Sequence, residues 1–143
     1  MIPDSADDYE IDFEIGRMDL DRVHAWLSTD AYWALGRTRE AVHTAARHSL
    51  NIGAFTADGR QVAYARVVTD HATFAWLCDV YVDRDHRGRG LGNRMVEAVV
   101  ERLRPMNLRR VLLATHDAHD VYARVGFVPM PHPERFMVLA QPD

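Results

Sequence analysis

The 143-residue chain contains no lysine, and all 17 of its basic side chains are arginine. Without a side-chain amine it cannot form a Schiff base on lysine, cannot supply the lysine of a Walker A phosphate loop, and cannot be acylated on a side-chain nitrogen of its own. Cysteine is nearly absent: Cys78 stands alone, so an internal disulfide is excluded, and it lacks the companions a structural zinc site needs. A reducing, cytoplasmic setting is expected. Long apolar runs are missing too, far short of the ~20 residues that span a bilayer. The opening MIPDSADDYE is acidic, unlike an export signal, so neither membrane nor secretion is expected.

Acids outnumber bases, with 21 Asp and Glu against 17 Arg giving a formal charge of −4. The imbalance lies at the front: residues 1–30 hold 9 acids and 2 arginines, and the rest holds 12 acids and 15 arginines. An acidic chain without a long basic stripe argues against nucleic acid as a partner. A composition 48% hydrophobic and 27% charged is that of a globular protein, and the length suits one domain. Residues 1–10 read as an acidic, flexible leader and 11–143 as a single domain.

Residues 11–17 alternate apolar and charged side chains, the pattern of a half-buried strand. Asp19 and Asp21 open a helix that ends near Ser28 and Thr29, and Thr38 can cap a second over 39–48. Residues 50–56 and 61–69 form a hairpin around Asp58-Gly59, and 72–82 form a long, mostly buried strand. Helical spacing resumes at Leu91 and closes at Pro105 and Asn107. A strand at 110–115, a short helix at 118–124 and strands at 126–129 and 135–140 complete the chain. The order β-α-α-β-β-β-α-β-α-β-β predicts a mixed α/β sandwich.

The most informative stretch is DVYVDRDHRGRGLGNRMVEAVV, in which a buried strand enters an Arg- and Gly-rich turn that runs directly into a helix. Such a turn gathers backbone N–H groups without Cβ obstruction, and the helix N-terminus adds partial positive charge, so a phosphate is its natural guest. Two familiar phosphate motifs fail. Walker A needs lysine, and G-x-G-x-x-G would need glycine where Asn93 or Met95 stands.

Val80-Tyr81-Val82 followed by Arg87-x-x-Gly90-x-Gly92 resembles the central acetyl-CoA motif of the GNAT superfamily of acyl-CoA N-acyltransferases. Downstream, Tyr122-Ala-Arg-Val-Gly126-Phe127 resembles the Tyr-x-x-x-Gly-Phe of the same superfamily. The element order agrees as well, so the resemblance spans roughly residues 10–140. It implies a GNAT-like fold, acetyl-CoA as co-substrate, and transfer of its acetyl group to a primary amine. It also implies that Val80, Tyr81 and Val82 meet the pantetheine arm, and that Arg87, Gly88, Arg89, Gly90, Leu91 and Gly92 cradle the pyrophosphate. Tyr122 matches the tyrosine that often protonates the departing thiolate; packing of the short helix is the structural alternative. In place of the asparagine that many members carry before that tyrosine, this chain reads Thr115-His116-Asp117, so that contact is not carried over.

The general base is open. Asp79, a carboxylate in an apolar strand, either handles the substrate amine or is paired with an arginine such as Arg66 to steady the sheet. His116 and His119 are weaker candidates, Asp117 reads as a helix cap, and no metal is expected. Cys78 reads as an inert core thiol. The resemblance implies that the acceptor, a small molecule or a peptide amine, is chosen mainly by residues 19–48 and the final hairpin; Tyr32, Trp33, Arg37 and Arg39 could line its pocket, ordinary loop packing being the alternative. A non-catalytic acetyl-CoA-binding module is the alternative from another class, and the protein is expected to be a monomer or homodimer.

Overall fold

The computed structural model describes residues 5–140. Five strands form one sheet in the order β1 (Glu10–Asp12), β2 (Leu50–Phe55), β3 (Gln61–Thr69), β4 (Phe74–Val82) and β5 (Arg110–Leu113). The first four are antiparallel neighbours, and β4 and β5 run parallel. Helices α1 (Leu20–Asp30) and α2 (Arg39–Arg47) cover one face, α3 (Leu91–Leu103) covers the other, and a short α4 (His119–Ala123) follows β5. The sandwich predicted from the pattern is present, and α3 is the crossover joining the parallel pair. Among the described residues no helix is long and apolar enough to cross a membrane.

Two apolar clusters hold the layers together. Leu91, Met95, Val96 and Val99 of α3 bury against Ile52, Ala65 and Leu77 on one face, while Val23, Leu27 and Val42 bury against Phe55, Tyr64 and Tyr81 on the other. Local chemistry sets the boundaries. Asp19 accepts from the Arg22 amide at the start of α1, and Thr38 from the Ala41 amide at the start of α2. Asp70 accepts from the amides of Ala72 and Thr73, a turn that delays β4 until Phe74.

Three expectations are corrected. The first strand stops at Asp12 because Asp12 and Glu14 accept from the amides of Glu14 and Gly16 and curl the chain into a 3-10 turn over Ile15–Arg17. Ala6–Asp8 form a 3-10 turn and Tyr9 is buried. Asp117 does not cap α4; the Thr115 hydroxyl accepts from the Ala118 amide instead. The last two strands, 126–129 and 135–140, are not formed. Gly126 has φ 106°, prolines 129, 131 and 133 bring no amides to a ladder, and Pro133–Arg135 make a 3-10 turn.

Candidate active site

The site begins where β4 and β5 part. Their pairing runs from Phe74 opposite Arg110 to Leu77 opposite Leu113, where β5 ends; β4 continues alone on that side through Val82. A bulge at the fork alters β4 further. Arg66 pairs with Cys78 and Tyr64 with Tyr81, so one residue of β3 faces two of β4, and Asp79 takes φ 54°. The extra residue flips the side-chain alternation. Before it, Ala75 and Leu77 face the α3 cluster; after it, Val80 and Val82 do, and Tyr81 turns to the α1 side.

Asp79 is buried, with 2% of its side chain exposed, yet it is fully partnered. Arg37 Nη1 and Arg66 Nε donate to Oδ2 at 2.7 and 3.0 Å, and Trp33 Nε1 donates to Oδ1 at 2.8 Å. Burial pushes the carboxyl pKa up, but the Arg37 hydrogen bond, the two guanidinium charges and Trp33 outweigh it and leave the group below its usual range. The sequence offers Arg66 as one example of a partner; Arg37 and Trp33 come from the loop between α1 and α2, and only the fold brings them here. Tyr32, beside Trp33, accepts from the His116 amide at 3.0 Å and ties this loop to the segment before α4. Arg39, by contrast, is turned to Asp21, away from the cluster.

At the end of β4, Asp30 gathers Tyr81, Arg84 and Arg87. The Tyr81 hydroxyl donates at 2.6 Å, Arg87 Nη2 at 3.2 Å, and Arg84 closes the group. Arg87 also donates through Nε to the Val82 carbonyl at 2.8 Å, so one guanidinium staples the glycine turn to both the strand and α1. Arg89 donates to the carbonyls of Asp85 and Arg87 and closes the turn on itself.

The turn suits an anion in four respects. Gly88 and Gly90 both have φ 79°, a conformation that costs other residues strain, and α3 starts at Leu91 with no side-chain cap on its first amides. Gly92 has no such backbone need; a Cβ there would meet only Val82 Cγ2, at 4.0 Å, so the missing side chain keeps the helix mouth clear. Arg94 Nη1 and Asn93 Oδ1, in the same first turn, are buried without a hydrogen-bond partner among the described residues. An uncapped helix end beside an unspent guanidinium donor fits a pyrophosphate-bearing ligand. The start of the chain abuts this turn: Ala6 lies 4.0 Å from the position of a Gly90 Cβ, and Tyr9 Oη is 2.7 Å from His86 Nδ1.

Tyr122 stands on α4, beyond β5, packed edge-on against Phe127 at 5.9 Å between centroids. Burial pushes its phenol pKa up, with Tyr32 and Asp117 adding to the shift, so it stays a proton donor. Its hydroxyl has no hydrogen-bond partner among the described residues. His116 and His119 join no metal-binding cluster among those residues.

Residues 20–127 match the acetyltransferase (GNAT) family. The chain belongs to the GNAT acetyltransferase family. A crystal structure from Xanthomonas campestris assigned to the GNAT family is 42% identical, with a TM-score of 0.88 over 94% of each chain. An acetyltransferase-family protein of Gibberella zeae is 29% identical over 136 residues, 82% of this chain and 77% of its own length. A Mycobacterium tuberculosis protein crystallised with CoA shares the fold at a TM-score of 0.71 and 20% identity, covering 85% of this chain and 73% of that one. This GNAT chain is accordingly an acyltransferase, and the family uses acetyl-CoA.

Proposed function

We propose that this protein moves the acetyl group of acetyl-CoA to a primary amine by direct attack, with Tyr122 as general acid. The observation that carries the proposal is the fork: unpaired β4 backbone leads to an uncapped, glycine-lined helix end on one side, and Tyr122 lies past the end of β5. Acetyl-CoA, when bound, supplies an activated thioester. The main chain of Val80, Tyr81 and Val82 is free on its β5 side to add to an extended ligand as a strand would. Arg87 shapes the turn, and the amides of Gly88–Gly92 meet the phosphates, with Arg94 as an added donor. As the amine nitrogen bonds to the acetyl carbon and the C–S bond breaks, the Tyr122 phenol, kept protonated by burial, gives its proton to the departing thiolate, and the proton shed by the amine passes through water to restore the phenol.

Asp79 serves better as an anchor than as a base, because all three of its donors would have to release it before it could accept a proton from an amine. It holds Trp33 and Arg37 over the fork, so the loop between α1 and α2 becomes the wall of the acceptor pocket. Calorimetric titration with acetyl-CoA, then a thiol-release screen over amines with the wild type and Tyr122→Phe, tests the proposal. Saturable binding, release on some amine and a loss of turnover in the variant support it. Binding without release on any amine would favour a non-catalytic acetyl-CoA-binding module, and unchanged turnover in Tyr122→Phe across the pH range would remove the general-acid role.

A further inference from the structure

The Arg37 guanidinium is pinned at one corner and open along one edge. Its Nη1 donates to Asp79 Oδ2 at 2.7 Å, and Asp79 is itself held by Arg66 and Trp33, so the group rests on a buried, fixed support. Its Nε and Nη2 have no hydrogen-bond partner among the described residues, and neither is sealed from water; 25% of the side chain is exposed. Those two nitrogens make the side-on edge of a guanidinium, whose parallel N–H bonds match the two oxygens of a carboxylate. Arg84 spends the same edge inside this chain, giving Nε and Nη2 to the two oxygens of Asp30. Arg37 leaves it unspent.

The charge around Arg37 is unbalanced. Arg37 and Arg66 share the single carboxylate of Asp79, which leaves one positive charge unmatched in a part-buried setting, where screening is weak. Asp117 bears on the Tyr122 phenol but is exposed, so water screens it. Aromatic rings lead from this arginine to the general acid proposed above. Trp33 and Tyr32 pack edge to face at 5.0 Å, Tyr32 meets the His116 ring at 5.6 Å, and Tyr32 is near enough to Tyr122 to add to its shift. Trp33 and Tyr32 are 42 and 55% exposed. Rings open to water between a free guanidinium edge and a proton donor suit a small ligand with an apolar middle and an anionic end.

We propose that the acceptor is an amine that also carries a carboxylate: Arg37 grips the carboxylate through Nε and Nη2, Tyr32 and Trp33 cover the carbon framework, and the amine is directed toward Tyr122. This rests on the acetyl transfer proposed above and names the class of its acceptor. The unmatched positive charge draws a carboxylate and repels a second cationic group, so diamines are poor acceptors.

Thiol-release kinetics on amine pairs that differ only in the carboxylate test this: L-phenylalanine against phenethylamine, and para-aminomethylbenzoate against benzylamine. The carboxylate member of at least one pair should have a kcat/KM higher by about 10-fold or more, through a lower KM, which is the effect of hydrogen bonds to a charged group. Arg37→Lys keeps a cation for Asp79 but lacks the side-on edge, and should erase most of that preference without loss of the folded melting transition; Arg37→Gln should erase the rest. Tryptophan fluorescence of the CoA-loaded protein, titrated with the N-acetyl products of each pair, reads the same preference without the chemistry. Thiol release with no preference for the carboxylate member, or a preference that Arg37→Lys and Arg37→Gln leave intact, would overturn the inference and spare the transfer reading. Carboxylate-selective product binding with no thiol release on any amine would count against the transfer reading instead. No selectivity in either measurement would overturn the inference.

Discussion

Arg66 and Asp79 meet across the β-bulge, with Nε of one 3.0 Å from Oδ2 of the other, at the point where β4 leaves its parallel partner. Arg37 shares the same oxygen from a different layer. The pair thus joins the sheet to the loop between α1 and α2, and its removal would be felt in both.

Replacing Asp79 by Asn leaves two guanidinium groups facing each other with no counter-charge. Breaking a buried pair this way costs about 3–5 kcal/mol, and the partial exposure of Arg37 and Arg66 places the expected loss at the low end. Thermal unfolding should show it. The pH dependence has a definite sign: the folded pKa of Asp79 lies below its unfolded value, so its stabilisation is complete above the ordinary carboxylate range and is lost as pH falls through the folded pKa. The gap in Tm between wild type and Asp79→Asn should stay constant from neutral pH to about 4 and narrow below it.

Gly92→Leu separates binding from folding. The position has space for a side chain and an ordinary helical backbone, and glycine is about 1 kcal/mol worse than a good helix former there. The variant should melt at or above the wild-type temperature while losing affinity for acetyl-CoA in a calorimetric titration. Equal affinity would mean that the helix mouth does not take the phosphates.

Removing the Tyr122 hydroxyl should lower kcat by about 10²-fold, the lower end of what a positioned general acid contributes, and leave acetyl-CoA affinity unchanged. Single-turnover thiol release with Tyr122→Phe measures the first quantity and titration the second.

Burial raises the Cys78 thiol pKa to about 11, Arg66 and Arg37 offsetting only part of the effect. The folded protein should therefore resist iodoacetamide at pH 8 and react fully in denaturant. Peptide mapping of the labelled chain reads the outcome.

His86 is buried and accepts or donates one hydrogen bond, to Tyr9. Burial lowers its pKa, helped by Arg89 and Arg60 and opposed by Asp83 and Asp85. Its neutral form is therefore the one the fold favours, and that contribution is present above the unfolded value near 6.5 and fades as pH falls below it. Acidification should loosen residues 5–9 from the glycine turn before the domain unfolds, visible as faster amide exchange at Tyr9. His86→Gln should flatten that dependence.

Much of this molecule could be read from local signals. Thr38 and Asp19 mark helix starts, Asp58-Gly59 marks the hairpin, and the run from Asp79 to Val100 shows a strand, a turn and a helix in order. These depend on neighbours a few residues away. The rest depends on distance in the chain. Asp79 announced that it needed a partner, but Arg37 lies 42 residues away and Arg66 13, and nothing local selects between seventeen arginines. The bulge was hidden for a related reason: FAWLCDVYV satisfies alternation in either phase, so the pattern cannot show where the phase changes. At the C-terminus the apolar residues suggested strands, and the prolines at 129, 131 and 133 were the stronger signal.

The bulge at Asp79 makes β4 a strand of two parities. Odd positions before it and even positions after it serve α3, and the switch takes a single residue. Side chains that pack on α3 and those that pack on the α1 side thus occupy separate sets of positions along one nine-residue strand, Ala75, Leu77, Val80 and Val82 on the first and Tyr81 on the second. A one-residue deletion at Asp79 would remove the bulge and the carboxylate that holds Trp33 and Arg37, while ordinary alternation would still leave Val80 and Val82 on the α3 face.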